Sequence, residues 1–109
     1  MSWDISIERL NMNLEYEEVE EVGNMTYNVL PMYSLATGWK SLNRELDGTQ
    51  CAYISAKLMM AVNDMENNPE KYKKLNPKNG WGNYDLALKY LIKLYEACMK
   101  NPTCIVVVS

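Results

Sequence analysis

Residues 83–101, NYDLALKYLIKLYEACMKN, constrain the fold more than any other stretch. Lys89, Lys93, Glu96 and Lys100 recur on one narrow stripe, with Ala87, Leu91, Leu94 and Cys98 opposite. Leu88, Ile92 and Met99 widen the apolar side well past a third of the circumference, so this helix must be covered over most of its surface. Asn83 caps its start, Asp85 adds negative charge near the positive end of the helix dipole, and Asn101-Pro102 stops it. Such a helix is the spine of a domain, and something flat has to pack against it.

The two ends of the chain supply that layer. At the start, Trp3, Ile5 and Ile7 alternate with Asp4, Ser6 and Glu8, the period of a half-buried strand. Met12, Leu14 and Tyr16 repeat the alternation against Asn11, Asn13 and Glu15, which predicts a hairpin turning around residues 9–11. The acidic run from Glu15 to Glu21 then frays the second strand or makes it a charged edge, and Gly23-Asn24 ends it. At the other end, Ile105 to Val108 form an unbroken β-branched run. That pattern reads as a strand buried on both faces or paired centrally.

Helices fill the middle. Pro31 suits a first helical turn, with Asn28 as its cap, and Gly38 suits a left-handed stop. Trp39, Leu42 and Leu46 share helical spacing over residues 39–46. Thr49 caps a longer helix whose buried stripe is Ile54, Leu58, Ala61 and Met65. Asn68-Pro69-Glu70 opens a short turn of helix. The expected architecture is one α+β domain over residues 1–109: a small antiparallel sheet, from the N-terminal hairpin plus the C-terminal strand, packed in two layers against three to four helices.

Composition narrows the function. The 109 residues hold no histidine, which removes the commonest general base and metal ligand. Cys51, Cys98 and Cys104 are scattered without CxxC spacing, so no metal site or cofactor is expected. Reduced thiols and an acidic, alternating start without the layout of a signal peptide point to a cytoplasmic protein. No apolar run is long enough for a bilayer, and no membrane partner is expected. Of the thiols, Cys51 alone falls in the first turn of a helix, the one position where a small cysteine-dependent enzyme would put its nucleophile. A buried structural cysteine explains it better. No catalytic residue is assigned, and the chain reads as a non-enzymatic binding protein.

Two segments are candidates for binding. Residues 1–47 hold nine acids and three bases, whereas residues 48–109 hold five acids and eight bases. That split does not suit duplex nucleic acid, which needs clustered positive charge, but it suits a protein partner or a homo-oligomer. The acidic end makes Glu17, Glu18, Glu20 and Glu21 the candidate protein-interaction residues. The second segment is KKLNPKNGWGNY, residues 73–84. Here Lys74, Lys78, Asn79, Trp81 and Tyr84 combine positive charge, aromatic rings and amides ahead of a helix N-terminus. That combination suits a small phosphate-bearing ligand such as a signalling nucleotide. The same letters also describe an ordinary connection in which Trp81 folds back as an anchor.

The segments SWDISI (2–7), NMTYNVLPMYSLA (24–36) and NPKNGWGNYDLALKYLIKLYEAC (76–98), with the closing VVVS, resemble a family of small proteins encoded mainly in bacteriophages and prophages. Leu30 departs from the small polar residue expected before the proline. The resemblance carries no activity and no site residue. It implies a phage-related setting, in a bacterial host, and little more. The chain reads as an accessory factor that meets a host or phage protein, with capture of a defence signalling nucleotide as the alternative.

Overall fold

The computed structural model describes residues 2–109. Strands β1 (Ser2–Leu10) and β2 (Tyr16–Thr26) form a hairpin. A 3-10 turn (Tyr27–Val29) leads into α1 (Leu30–Thr37), followed by α2 (Leu42–Leu46), α3 (Cys51–Asn67), α4 (Pro69–Lys73), α5 (Tyr84–Lys100) and β3 (Ile105–Val108). The sheet is antiparallel in the order β2-β1-β3. This is an α+β fold with the expected strands and five helices.

The core forms where the sequence periodicity places it. Trp3, Ile5 and Ile7 of β1 and Val106 and Val108 of β3 are buried, and Ile54, Leu58, Ala61 and Met65 of α3 meet Ala87, Leu91, Leu94 and Cys98 of α5 in one cluster. Burying each of the larger aliphatic side chains stabilises the fold by about 1.5–3 kcal/mol. Asn83 caps α5 by accepting a hydrogen bond from the Leu86 N–H at 2.9 Å. Gly38, at φ 81°, ends α1. Met99, expected on the buried side of α5, is exposed. Among the described residues no helix is long and apolar enough to cross a membrane.

Elsewhere the structure corrects the expected boundaries. The hairpin turn spans residues 11–15 rather than 9–11. The Asn11 Oδ1 accepts from the N–H groups of Asn13 and Glu15, at 2.9 and 3.0 Å, and so closes the turn without glycine. Met12 and Leu14 thus sit at the tip, not in a strand, whereas the acidic run does form a charged edge strand, the second of its two expected readings. Gly23-Asn24 does not end β2. Gly23 pairs with Ile5, and a register shift follows before Ser6 pairs with Glu21. The glycine at φ 124° absorbs that bulge.

Neighbouring backbone replaces two of the expected caps. Asn28 does not cap α1; its own N–H donates to the Thr26 hydroxyl at 3.3 Å, and the 3-10 turn feeds straight into the helix. Nor does Thr49 cap α3, since its hydroxyl donates to the Glu45 carbonyl. The first N–H groups of α3, at Cys51 and Ala52, find the carbonyls of Cys104 and Pro102 at 2.8 and 3.0 Å. Asn68 turns its amide back onto Asp64 rather than capping α4. Trp39 lies outside α2, where Ser41 is the cap, and is half-buried. β3 lies at a sheet edge rather than its centre. Its outer side is satisfied nonetheless, because Val106 exchanges backbone hydrogen bonds with Gly48 and Thr49 and the Val108 N–H donates to Asp47.

Candidate functional site

The hairpin outruns the body of the domain. β3 pairs with β1 only over Ile5–Glu8, so the outer hairpin has no third strand beside it. Residues 9–19 are exposed throughout apart from Asn11 and Glu17, which are half-buried. The domain is correspondingly long, 47 Å against 26 and 20 Å. At the tip, Met12 is 100% exposed and Leu14 78%, with Leu10, Tyr16 and Val19 also in the open. Leu14 adopts φ 61°, the only non-glycine residue described in the left-handed region. For a leucine that conformation costs roughly 1–2 kcal/mol, held here by the Asn11 hydrogen bonds on either side.

The sheet divides the four candidate acids into two pairs. Glu17 and Glu20 lie opposite Arg9 and Ile7, on the helix side. The Arg9 Nε donates to Glu17 at 2.7 Å, and this hydrogen bond, then the guanidinium charge, holds the Glu17 carboxyl below its ordinary range. Glu20 takes Lys100 at 3.3 Å and the Asn101 amide at 3.4 Å. Glu17 thus ties the two strands of the hairpin together, while Glu20 ties the hairpin to the end of α5. Glu18 and Glu21 lie opposite Glu8 and Ser6 on the other face, with Asp4 in the same row. No ion pair among the described residues engages these four acids, and no helix packs over them. This open acidic face, with Leu10 and Tyr16 paired beyond it, is what the outer sheet presents to a partner.

The 73–84 segment is taken apart by the fold. Tyr84 turns into the core and donates to the Met65 carbonyl at 2.6 Å. Lys74 and Lys78 are exposed. Trp81 does not fold back; it is 68% exposed. Asn79 and Trp81 meet a distant segment instead, lining a cleft with Thr26, Tyr27 and Asn28 that neither Lys74 nor Lys78 borders. The five candidate ligand residues thus do not form one site. Gly82 explains the new neighbours: at φ 90° it sits so close that a Cβ would fall 2.8 Å from Thr26 Cγ2 and from Val29 Cγ1. Thr26, Tyr27 and Asn28 were missed because nothing local in the sequence ties them to residues more than fifty positions away. The glycine flanked by Trp81 and Asn83 was the one available signal of a close backbone approach.

Cys51 stands at the start of α3 as expected, but its side chain is 0% exposed in the core, and Cys98 and Cys104 are buried as well. A hydrogen bond from Cys98 draws Cys51 down, against burial, while Cys98 itself is driven up by Cys51 and by burial. Neither sulfur is presented to solvent, and both pack as small apolar side chains do. Among the described residues no cluster of three or more His, Cys, Asp or Glu is placed to hold a metal ion.

Comparison with known proteins finds no matching family model, no matching curated protein and no matching solved structure.

Proposed function

We propose that this chain is a non-enzymatic protein-binding module that docks through its β1–β2 hairpin. The occupant is a protein surface bearing an apolar pocket rimmed by lysine or arginine. The observation that carries this reading is the solvent-exposed apolar tip, Met12 and Leu14, presented by a turn strained at Leu14 and fixed by Asn11. Exposed leucine and methionine in a contiguous patch favour contact with another protein, and backbone strain of this kind concentrates at functional sites. The row of Asp4, Glu8, Glu18 and Glu21 beside it supplies charge that attracts a basic rim and steers its approach. The sequence resemblance supports reading the chain as a phage or prophage accessory factor that acts in the host cytoplasm.

A photo-crosslinker at Met12 tests the proposal, with Met60 on α3, 62% exposed, as control. A single partner should crosslink from residue 12, not from residue 60. Capture should weaken in Glu18→Lys/Glu21→Lys and with added salt, since screening shortens the reach of exposed charges. Equal crosslinking from both positions, or capture indifferent to charge reversal, removes the proposal.

A further inference from the structure

The cleft that joins residues 26–28 to residues 79–81 lies at the end of the hairpin away from its tip and has its own construction. We propose that it binds an uncharged planar heterocycle of the nucleobase class, stacked on Trp81 and read along its edge by Asn28 and Asn79.

The first argument is that Trp81 is exposed on a loop that is held. The Asn79 Oδ1 accepts from the Trp81 N–H at 3.0 Å, and the Asn76 Oδ1 accepts from the Tyr84 N–H at 2.8 Å. Gly82 brings the far side of the loop so close to Thr26 and Val29 that no Cβ would fit between them. A large ring kept in water by a fastened backbone is presented rather than stranded.

The second argument is the packing behind Tyr27, another lining residue. Tyr27 is half-buried and packs on Trp3 with ring centroids 4.7 Å apart, and the Trp3 indole N–H is itself tied to Asn43 at 3.0 Å. The Tyr27 ring is therefore packed and the Trp81 backbone fastened before any ligand arrives, so little ordering remains to oppose binding.

The polar groups decide the ligand class. The Asn28 carboxamide makes no side-chain hydrogen bond among the described residues, and Asn79 keeps its amide hydrogens free because only its oxygen is used. A carboxamide offers a donor and an acceptor side by side, which complements the edge of a base. The lining residues Thr26, Tyr27, Asn28, Asn79 and Trp81 carry no charge, so the part recognised is neutral. The cleft measures about 610 Å³, within the range for small-ligand sites and large enough for a nucleoside. A flat aromatic ring gains from stacking on Trp81 whatever its sequence context.

The test is a nitrogen-15 NMR titration of the full chain with adenosine, cytidine, methyl glucoside and inorganic phosphate as separate probes. A nucleoside should shift the Trp81 indole N–H and the Asn28 and Asn79 side-chain amides, leaving the indoles of Trp3 and Trp39 in place. Trp81→Ala should weaken nucleoside binding roughly tenfold or more without lowering the melting temperature, because the ring is exposed. Asn28→Ala should weaken it by a smaller factor and keep the stacking response of Trp81. Absence of shifts at millimolar nucleoside overturns the proposal, as do shifts that persist in Trp81→Ala. Equal shifts from methyl glucoside overturn the assignment to a base, and equal shifts from phosphate alone overturn recognition of a neutral ring.

Discussion

The Tyr90 hydroxyl donates a 2.7 Å hydrogen bond to the carbonyl of Gly23, sixty-seven positions away, where β2 carries its bulge. The Tyr90 ring lies against the same glycine, with Cε2 3.7 Å from where a Cβ would stand. One tyrosine thus fastens the spine helix to the point where the edge strand changes register. Tyr90→Phe is expected to cost about 1–3 kcal/mol, the usual penalty for stranding a buried hydrogen-bonding group. Gly23→Ala should cost a similar amount through its positive φ rather than through crowding. Urea unfolding of both variants checks this, and a Tyr90→Phe protein as stable as the parent would show the bond to be idle.

The hairpin tip should be more stable without its leucine. Leu14→Gly relieves the left-handed strain and is expected to raise unfolding stability by up to about 1 kcal/mol, glycine's extra chain entropy offsetting part of the relief. The same change should weaken partner capture, because an apolar anchor leaves the tip. Stability and capture measured on one preparation separate the two effects. If capture rises along with stability, the strained leucine is not a docking residue.

Gly82→Ala tests how the tryptophan loop is seated. A Cβ there would fall 2.8 Å from two side-chain carbons on a backbone at φ 90°. The loop must shift, at an expected cost of roughly 1–3 kcal/mol. Chemical shifts at Thr26, Val29 and Trp81 should move together while those of the hairpin stay. Movement confined to residue 82 would mean that the loop and the 26–29 segment are not fastened.

Acid should weaken the α3–α4 corner. The Tyr72 hydroxyl donates to the Asp64 carboxylate and Lys71 Nζ lies 2.9 Å from it; these two hydrogen bonds, Tyr72 first, hold the Asp64 carboxyl below its ordinary range. A carboxylate with a depressed folded-state pKa adds stability above its unfolded value of about 3.9, and that stability is lost as pH falls through the folded value. Asp64→Asn should therefore be less stable than the parent at neutral pH, and the gap should close below about pH 4. A gap that stays constant into acid would rule out this linkage.

Alkali should act through the buried phenols. Burial raises the pKa values of Tyr33, Tyr72, Tyr84 and Tyr90, with the hydrogen bond to Asp64 adding to the effect at Tyr72. Groups that hold their protons more tightly when folded keep their full contribution below the unfolded value of about 10 and lose it as pH rises above that. Phenolate absorbance and circular dichroism followed together should show these four ionising only as the fold is lost. Their ionisation in a protein with native dichroism would contradict the packing around them.

Periodicity determined a good deal by itself. The alternation of Trp3, Ile5 and Ile7, the stripe from Ile54 to Met65 and the wide apolar side of α5 are local patterns. Each fixes which face is buried regardless of what covers it. Caps such as Asn83 and stops such as Gly38 are legible for the same reason, because their partners lie within a turn of helix. Tertiary structure decided whatever needs a partner distant in sequence. The start of α3 is satisfied by the 102–104 backbone, so Thr49 was free to do something else. The acidic run became a strand because β1 pairs with it and Lys100 reaches Glu20. Charge density is a property of the run, whereas strand pairing is a property of its neighbour. The tryptophan cleft belongs to the same class: Trp81 and Asn79 were conspicuous in the sequence, but Tyr27 and Asn28 join them only because Gly82 lets two backbones approach.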